Sequence, residues 1–378
     1  MKISTIKTYI VPSHISDSSW SRGKAWLLVK IETDANIDGW GEAYVPHDCE
    51  IVIAAFIQSL SRYIEGTDPF RIKHFRTNAI HAFAQMQTGF HLSCAISGIE
   101  IALWDIVGKA LNKPVHQLLG GHCRDRIKVY ANCFSHIDRT PEEVTAYALE
   151  QVDQGFRTVK IYPFLNTHNI SQGIECVEMM RNALGPTIDI LVDLWRIADS
   201  SILPPIIECL NRADVKWIED PCAPENIAQL TNIRKKANQS VVTGETFSSK
   251  LQFRSLLENN AADVLNPDIT CCGIIELREI AAMAEPYFVN LAIHNFNTMA
   301  VGLAASLHVG SVVPNLSLVE HFPRFEAPSR LFSSSDWQVE QDGCIALPTE
   351  AGLGVSINES SLVNFEYQAS PIRDWPDH

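Results

Sequence analysis

The chain is predicted to be an α/β protein: a (β/α)7β barrel of the TIM type with an N-terminal α+β capping domain. Three observations predict it. Polar residues close short apolar runs at a nearly constant pitch: Asp193 in ILVD, Glu219 in VKWIE, Glu245 in VVTGE, Asp268 in VLNPD, His294 in NLAIH and Glu320 in LSLVE. The steps between them are 26, 26, 23, 26 and 26 residues, and Lys160 stands 33 residues before Asp193. A strand, a loop and a helix together need about 25 residues, so this is the rhythm of a β/α barrel sampled at its strand ends. Secondly, eight strand-like runs can be counted, at 127–132, 157–162, 189–193, 215–219, 240–244, 263–267, 289–293 and 316–320, with no long helical pattern after the eighth. Thirdly, the first 120 residues follow a different pattern.

That opening part begins with three antiparallel strand candidates, ISTIKTYIV, KAWLLVKIETD and GWGEAYV, the last two joined by the polar turn DANIDG. Between the first two lies PSHISDSSWSRG, long for a hairpin and therefore a candidate functional loop. From about residue 51 to 111 the apolar spacing becomes helical, as in IVIAAFIQSLSRYI and LSCAISGIEIALWDIVGKAL. The Pro and paired Gly of NKPVHQLLGG then mark a boundary. In the barrel, TPEEVTAYALEQVDQGF and ISQGIECVEMMRNALG follow the first two strands, each with Thr or Ser before acidic or Gln residues, a helix-start pattern. These readings divide the chain into a cap at 1–121, a barrel at 122–345 and a C-terminal segment at 346–378 expected to pack back on the cap.

At 378 residues the length suits a barrel plus a second unit. A formal charge of -14 argues against nucleic acid or an anionic membrane as the main partner, since both call for a basic surface. It leaves room for an anionic substrate, because a bound cation can invert the local field. The ten cysteines form no C-x-x-C pair and no tight framework, which points to reduced thiols and a cytoplasmic location. MKISTIKTYIVPSH lacks the apolar core of a signal peptide, and no uninterrupted apolar stretch of about 18 residues is present to span a membrane.

Asp193, Glu219 and Glu245 would end three successive strands and face one mouth. Any one of them alone could be a helix cap or the partner of a base; the regular set is what suggests a site. Three anionic oxygen ligands suit a hard divalent cation, Mg2+ first, and the chain has neither H-x-H nor H-E-x-x-H for a zinc site.

Over nearly its whole length the sequence resembles the mandelate racemase-like branch of the enolase superfamily. The resemblance is carried by GWGEAYV and ISGIEIALWDIVGKALNKPVHQLLGG in the cap, and by VKIY, LVDLW, WIEDP, TGE, NPDITCCGI, AIHNF and LVEHF in the barrel. It implies one Mg2+ per subunit held by Asp193, Glu219 and Glu245, and abstraction of the proton next to a substrate carboxylate. It also implies a His294–Asp268 dyad as base, Glu320 hydrogen-bonded to the substrate carboxylate, and a homo-oligomer. The chain departs from the family where Lys-x-Lys is frequent, reading Lys160-Ile161-Tyr162. Residues two apart on a strand share a face, so Tyr162 would join Lys160, and a phenol with pKa about 10 donates better than it abstracts. One-base chemistry is then favoured, with Lys160 assisting electrostatically.

The expected reaction is dehydration of a sugar acid to a 2-keto-3-deoxy acid. Either His294 or Tyr162 would supply the proton to the leaving hydroxyl. Trp195 stands where some sugar-acid dehydratases of this branch carry a catalytic His, and is expected to shape the pocket. Trp20, Arg22 and Lys24 in the polar loop, with His47, are candidate specificity residues. Alternatives are a racemase, epimerase or cycloisomerase on the same scaffold, a non-catalytic descendant, and an aldolase using Lys160 as a Schiff-base amine.

Overall fold

The structure is a computed structural model that describes residues 1–12, 25–46, 48–134, 139–165, 169–197, 200–296, 298–362 and 367. Its N-terminal part is a sheet of β1 (Ile3–Pro12), β2 (Ala25–Thr33) and β3 (Asp38–Ala43), antiparallel in that order. Helices α1 (Glu50–Ile64), α2 (Ile72–Asn78) and α3 (Phe90–Leu111) cover it. α3 lies so close to β3 that a Cβ on Gly41 would fall 1.9 Å from the Gly98 carbonyl oxygen. By length and hydropathy α3 could cross a membrane, but it is mostly buried as the core helix of this unit. It ends at Asn112, in the left-handed conformation at φ 50°.

Eight parallel strands follow: β4 (Arg126–Asn132), β5 (Thr158–Ile161), β6 (Asp189–Asp193), β7 (Trp217–Glu219), β8 (Ser240–Thr243), β9 (Val264–Leu265), β10 (Asn290–Ile293) and β11 (Leu316–His321). They run in sequence order, and β11 pairs with β4 to close the barrel. Long helices follow the first seven strands, whereas the eighth runs into the short turns Pro323–Phe325 and Glu326–Ser329. The expected (β/α)7β barrel with an α+β cap is therefore the architecture observed. Inside it, Tyr130, Leu191, Trp217, Val242, Val264 and Ala292 form an apolar plug beneath the strand ends.

Helix starts follow local chemistry. Thr140 caps the helix Pro141–Asp153 through a reciprocal bond with Glu143. In the next helix, Ile170–Leu184, the cap is Asn169, accepting from Gln172 N–H, rather than the predicted Ser.

The cap sits on the barrel through polar contacts in an apolar seam. Ser97 Oγ donates to the Ile269 carbonyl at 2.7 Å, and Arg76 bonds Glu100 at 2.6 Å, while Glu100 accepts from Ile275 N–H at 2.7 Å. Beyond the barrel, strand Cys344–Ala346 pairs antiparallel with the outer half of β4, an addition the sequence pattern did not suggest. The segment after it touches the cap: Leu353 N–H donates to Asp105 at 2.9 Å, and Glu359 meets Lys30 at 2.7 Å.

Candidate active site at the mouth of the barrel

Strand register brings the polar ends together. Asp193 is the lateral partner of Glu219, Asn132 of Lys160, and Asp268 of His294. Glu245 lies just past β8, aimed by Gly244 at φ 126°, where a Cβ would be 2.4 Å from the Phe253 ring. All of these converge on the C-terminal end of the barrel.

Lys160 is completely buried, with Nζ 2.8 Å from both Glu219 and Glu320 and 3.7 Å from Asp193. Burial alone would lower its pKa; the carboxylates outweigh that and hold it well above the ordinary lysine value. A lysine held in its charged form is a poor Schiff-base nucleophile, which argues against the aldolase reading.

His294 Nδ1 is 2.7 Å from Asp268, and its Nε2 is 3.1 Å from Glu245 and 3.5 Å from Glu320. Asp268 also accepts from the Thr270 N–H and hydroxyl at 2.7 and 2.5 Å, which fixes the carboxylate that orients the ring. Burial opposes the imidazolium, but Glu320 and Glu245 raise the His294 pKa well above its usual value. Glu245 responds in kind: burial would raise it, yet His294 and Arg196 bring it down to about 2. Glu320 is likewise lowered, Lys160 and His294 outweighing burial, and it accepts from Asn132 at 2.7 Å and Asn295 N–H at 3.0 Å.

Asp193 and Glu219 are the carboxyls whose charge is least compensated by their neighbours. Burial, and then repulsion between the two, lifts Asp193 well above the carboxylate range; burial lifts Glu219 to about 7 against the pull of Lys160. Glu219 Oε2 is buried with no hydrogen-bond partner among the described residues, although Oε1 bonds Lys160 and Asn266. A buried carboxylate oxygen left bare among other carboxylates fits a cation ligand. Single ligand atoms from Glu219, Glu245 and His294 lie within 4.8 Å of one another, a group that could hold a metal ion. Asp193 is outside that trio; one oxygen accepts from the Trp195 N–H at 2.8 Å.

Tyr162 is partly buried, edge-on to Phe134 at 4.9 Å, and its oxygen accepts from Asn132 at 2.8 Å. Burial keeps its pKa well above 10, so it stays a phenol. Trp195 is half exposed at the rim, 6.4 Å from Phe134. His321 faces away, buried against Phe156. Trp20, Arg22, Lys24 and His47 lie outside the described residues.

Two charged residues went unnoticed in the sequence. Arg196 Nε bonds Asp220 at 3.0 Å, and its Nη2 ion-pairs with Glu245. Asp220, buried next to Glu219, is pushed up to about 6 by burial and by Glu245. Asp220 could have been found as the residue after a strand-end acid in WIEDP; Arg196 obeys no period, because positive φ values at Trp195 and Arg196 turn it inward.

A closed barrel that gathers acids, a buried lysine and a His–Asp pair at its C-terminal mouth has the layout of a barrel enzyme. Residues 2–120 match the mandelate racemase / muconate lactonizing enzyme N-terminal domain, and residues 143–361 match the enolase C-terminal domain-like family. The chain belongs to the mandelate racemase / muconate lactonizing enzyme group of the enolase superfamily. It is 32% identical over 394 residues to a D-galactonate dehydratase of Pectobacterium atrosepticum, covering 100% of this chain and 98% of that one. A D-xylonate dehydratase of Haloferax volcanii is 29% identical over 351 residues, covering 88% and 83%. Among solved structures, an enolase from the environmental genome shotgun sequencing of the Sargasso Sea superposes with TM-score 0.91 at 34% identity, covering 97% of each chain.

Proposed function

We propose that the protein is a Mg2+-dependent sugar-acid dehydratase, a hydro-lyase converting an aldonic acid to its 2-keto-3-deoxy acid. The observation that carries this reading is His294, tied to Asp268 and set in the same ring as Lys160, Glu219, Glu245 and Glu320. The relatives named for D-galactonate and D-xylonate dehydration support it.

Asp193, Glu219 and Glu245 would hold the divalent cation. Bound there, it would stabilise the negative charge that grows on the substrate carboxylate and, by offsetting the charge of Glu245, ease the hold on the His294 proton. Lys160 adds fixed positive charge beside Glu320, close to where that carboxylate is received. His294 takes the α-proton, and Asp268 steadies the imidazolium that results. The electrons of the broken C–H bond form a C=C bond as the β-hydroxyl leaves. Tyr162 gives that hydroxyl its proton, so water departs and the enol tautomerises to the keto acid. The N-terminal unit would close over this mouth as a cap, with Leu353 and Glu359 of the C-terminal segment strapping it to the barrel. Ten unpaired thiols suit a reducing cytoplasm, and self-association is expected in solution.

The test is a screen of sugar mono- and diacids with Mg2+, starting from galactonate and xylonate, with 2-keto acid as readout. His294→Asn should lose about 10²–10⁴-fold in kcat, the usual worth of a positioned base. Full activity in that variant would end the mechanism. Solvent deuterium entering recovered substrate without keto acid would instead identify a racemase or epimerase.

A further inference from the structure

Both oxygens of Glu245 are engaged, Oε1 by the Arg196 guanidinium and Oε2 by His294 Nε2 at 3.1 Å. The arginine is aimed there by a built arrangement. Its backbone N–H donates to the Asp220 carbonyl at 2.7 Å, and its Nε bonds the Asp220 carboxylate at 3.0 Å. Asp220, only 1% exposed, is anchored on its other oxygen by the Thr243 hydroxyl at 2.6 Å. Trp195 and Arg196 adopt φ values of 42° and 63°, a left-handed turn that bulky residues adopt only when their surroundings impose it.

We propose that Arg196 is a tethered rival of the divalent cation for Glu245, so that metal loading displaces its guanidinium toward the mouth while Asp220 keeps hold of it. This rests on the metal site proposed above. An ion that binds Glu245 competes for its charge with the partner already on the oxygen it takes. His294 has nowhere to go: it is 3% exposed, bonded to Asp268 and stacked on Phe296. The Arg196 side chain is 30% exposed and can leave. Two consequences follow. Metal affinity is set below what the carboxylates alone would give, because a charge-assisted pair is broken on loading. The displaced guanidinium then stands at the entrance used by an anionic substrate, where a fixed fork of donors can receive a carboxylate or a diol.

The experiment measures Mn2+ binding by electron paramagnetic resonance on the EDTA-stripped full-length protein, comparing wild type, Arg196→Met and Arg196→Lys, with thermal melts of each. Arg196→Met is expected to bind Mn2+ about tenfold more tightly, the equivalent of one charge-assisted pair no longer broken, with Arg196→Lys between. Without metal it should melt below wild type, because Asp220 and Glu245 lose their shared cation, and Mn2+ should raise its melting temperature more than that of wild type. Equal or weaker Mn2+ binding by a folded Arg196→Met would overturn the inference, leaving Arg196 as a brace for Glu245. Absence of Mn2+ binding in wild type and variants alike would instead remove the metal site itself, and this inference with it.

Discussion

Lys160 has no exposed surface and is nonetheless charged, because two carboxylates lie 2.8 Å from its amine. Removing one member of such a cluster leaves buried charge unpaired, so Lys160→Met should cost about 3–5 kcal/mol in urea denaturation, besides abolishing turnover. A loss under about 1 kcal/mol would mean that water reaches Glu219 and Glu320 freely. Tyr162 makes a sharper kinetic case. If its phenol protonates the leaving hydroxyl, Tyr162→Phe should slow keto-acid formation about 10²-fold or more while α-proton exchange with solvent continues. Equal loss of both would make Tyr162 a packing residue. Lys160, Asp193, Glu219, Asp268, His294 and Glu320 could be picked out from sequence because each ends a strand or follows one closely, and the barrel's pitch aligns such positions. Asn132 ends β4 in the same way, bonding both Tyr162 and Glu320, but an amide carries no charge to draw attention. Arg196 was beyond reach, since its placement depends on backbone dihedrals that no spacing reveals.

Between elements, the contact that matters most for the site joins β3 of the cap to the barrel helix Ala300–Val312. Glu42, buried in the GWGE run, accepts from Met299 N–H at 2.7 Å and Gly302 N–H at 2.9 Å, one bond on each oxygen. It thereby caps a helix whose N-cap residue, Met299, supplies no side-chain cap, just past the loop that carries His294. Burial raises the Glu42 pKa to about 8 against the pull of the two N–H bonds. Glu42→Gln keeps the shape but turns one acceptor into a donor facing an N–H. We expect it to lose about 1–3 kcal/mol of stability, read by denaturant melts; an unchanged midpoint would show that the cap docks without this bond. The strands and long helices were legible because their periods persist for many residues. Strand Cys344–Ala346 was not, being three residues long and defined by pairing with β4 and a bridge from Ile345 to Val339. The Asn169 cap was missed for a related reason: a cap is chosen by where the chain turns, and Asn and Ser serve equally well there.

At the scale of the whole molecule, cap, barrel and C-terminal segment meet at a pair of histidines far from the mouth. His308, on the helix Ala300–Val312, is fully buried; its Nε2 donates to the Leu353 carbonyl at 3.1 Å. Its Nδ1 must then accept, and two donors from the end of the cap meet it: His116 N–H at 3.3 Å and His116 Nδ1 at 3.1 Å. Only a neutral His308 satisfies this pattern, because a proton on Nδ1 would face both donors. Burial correspondingly pushes its pKa down to about 3, and His116 is lowered by burial and by neighbouring His122. His122, edge-on to His116 at 5.2 Å, pairs with Asp125 at 2.8 Å and is the other titratable ring facing the clamp. A histidine whose folded pKa is depressed contributes stability fully present above its unfolded value, near 6.5, and lost as pH falls toward the folded value. Between pH 6.5 and 4 the loss from His308 alone amounts to about 3 kcal/mol, at about 1.4 kcal/mol per pH unit. His308→Asn should therefore melt below wild type at pH 8 but lose less stability on acidification, so that the two curves converge near pH 4. Parallel curves would mean that the imidazole is hydrated in the folded state, and that the three parts of the chain are held together at this point by packing alone.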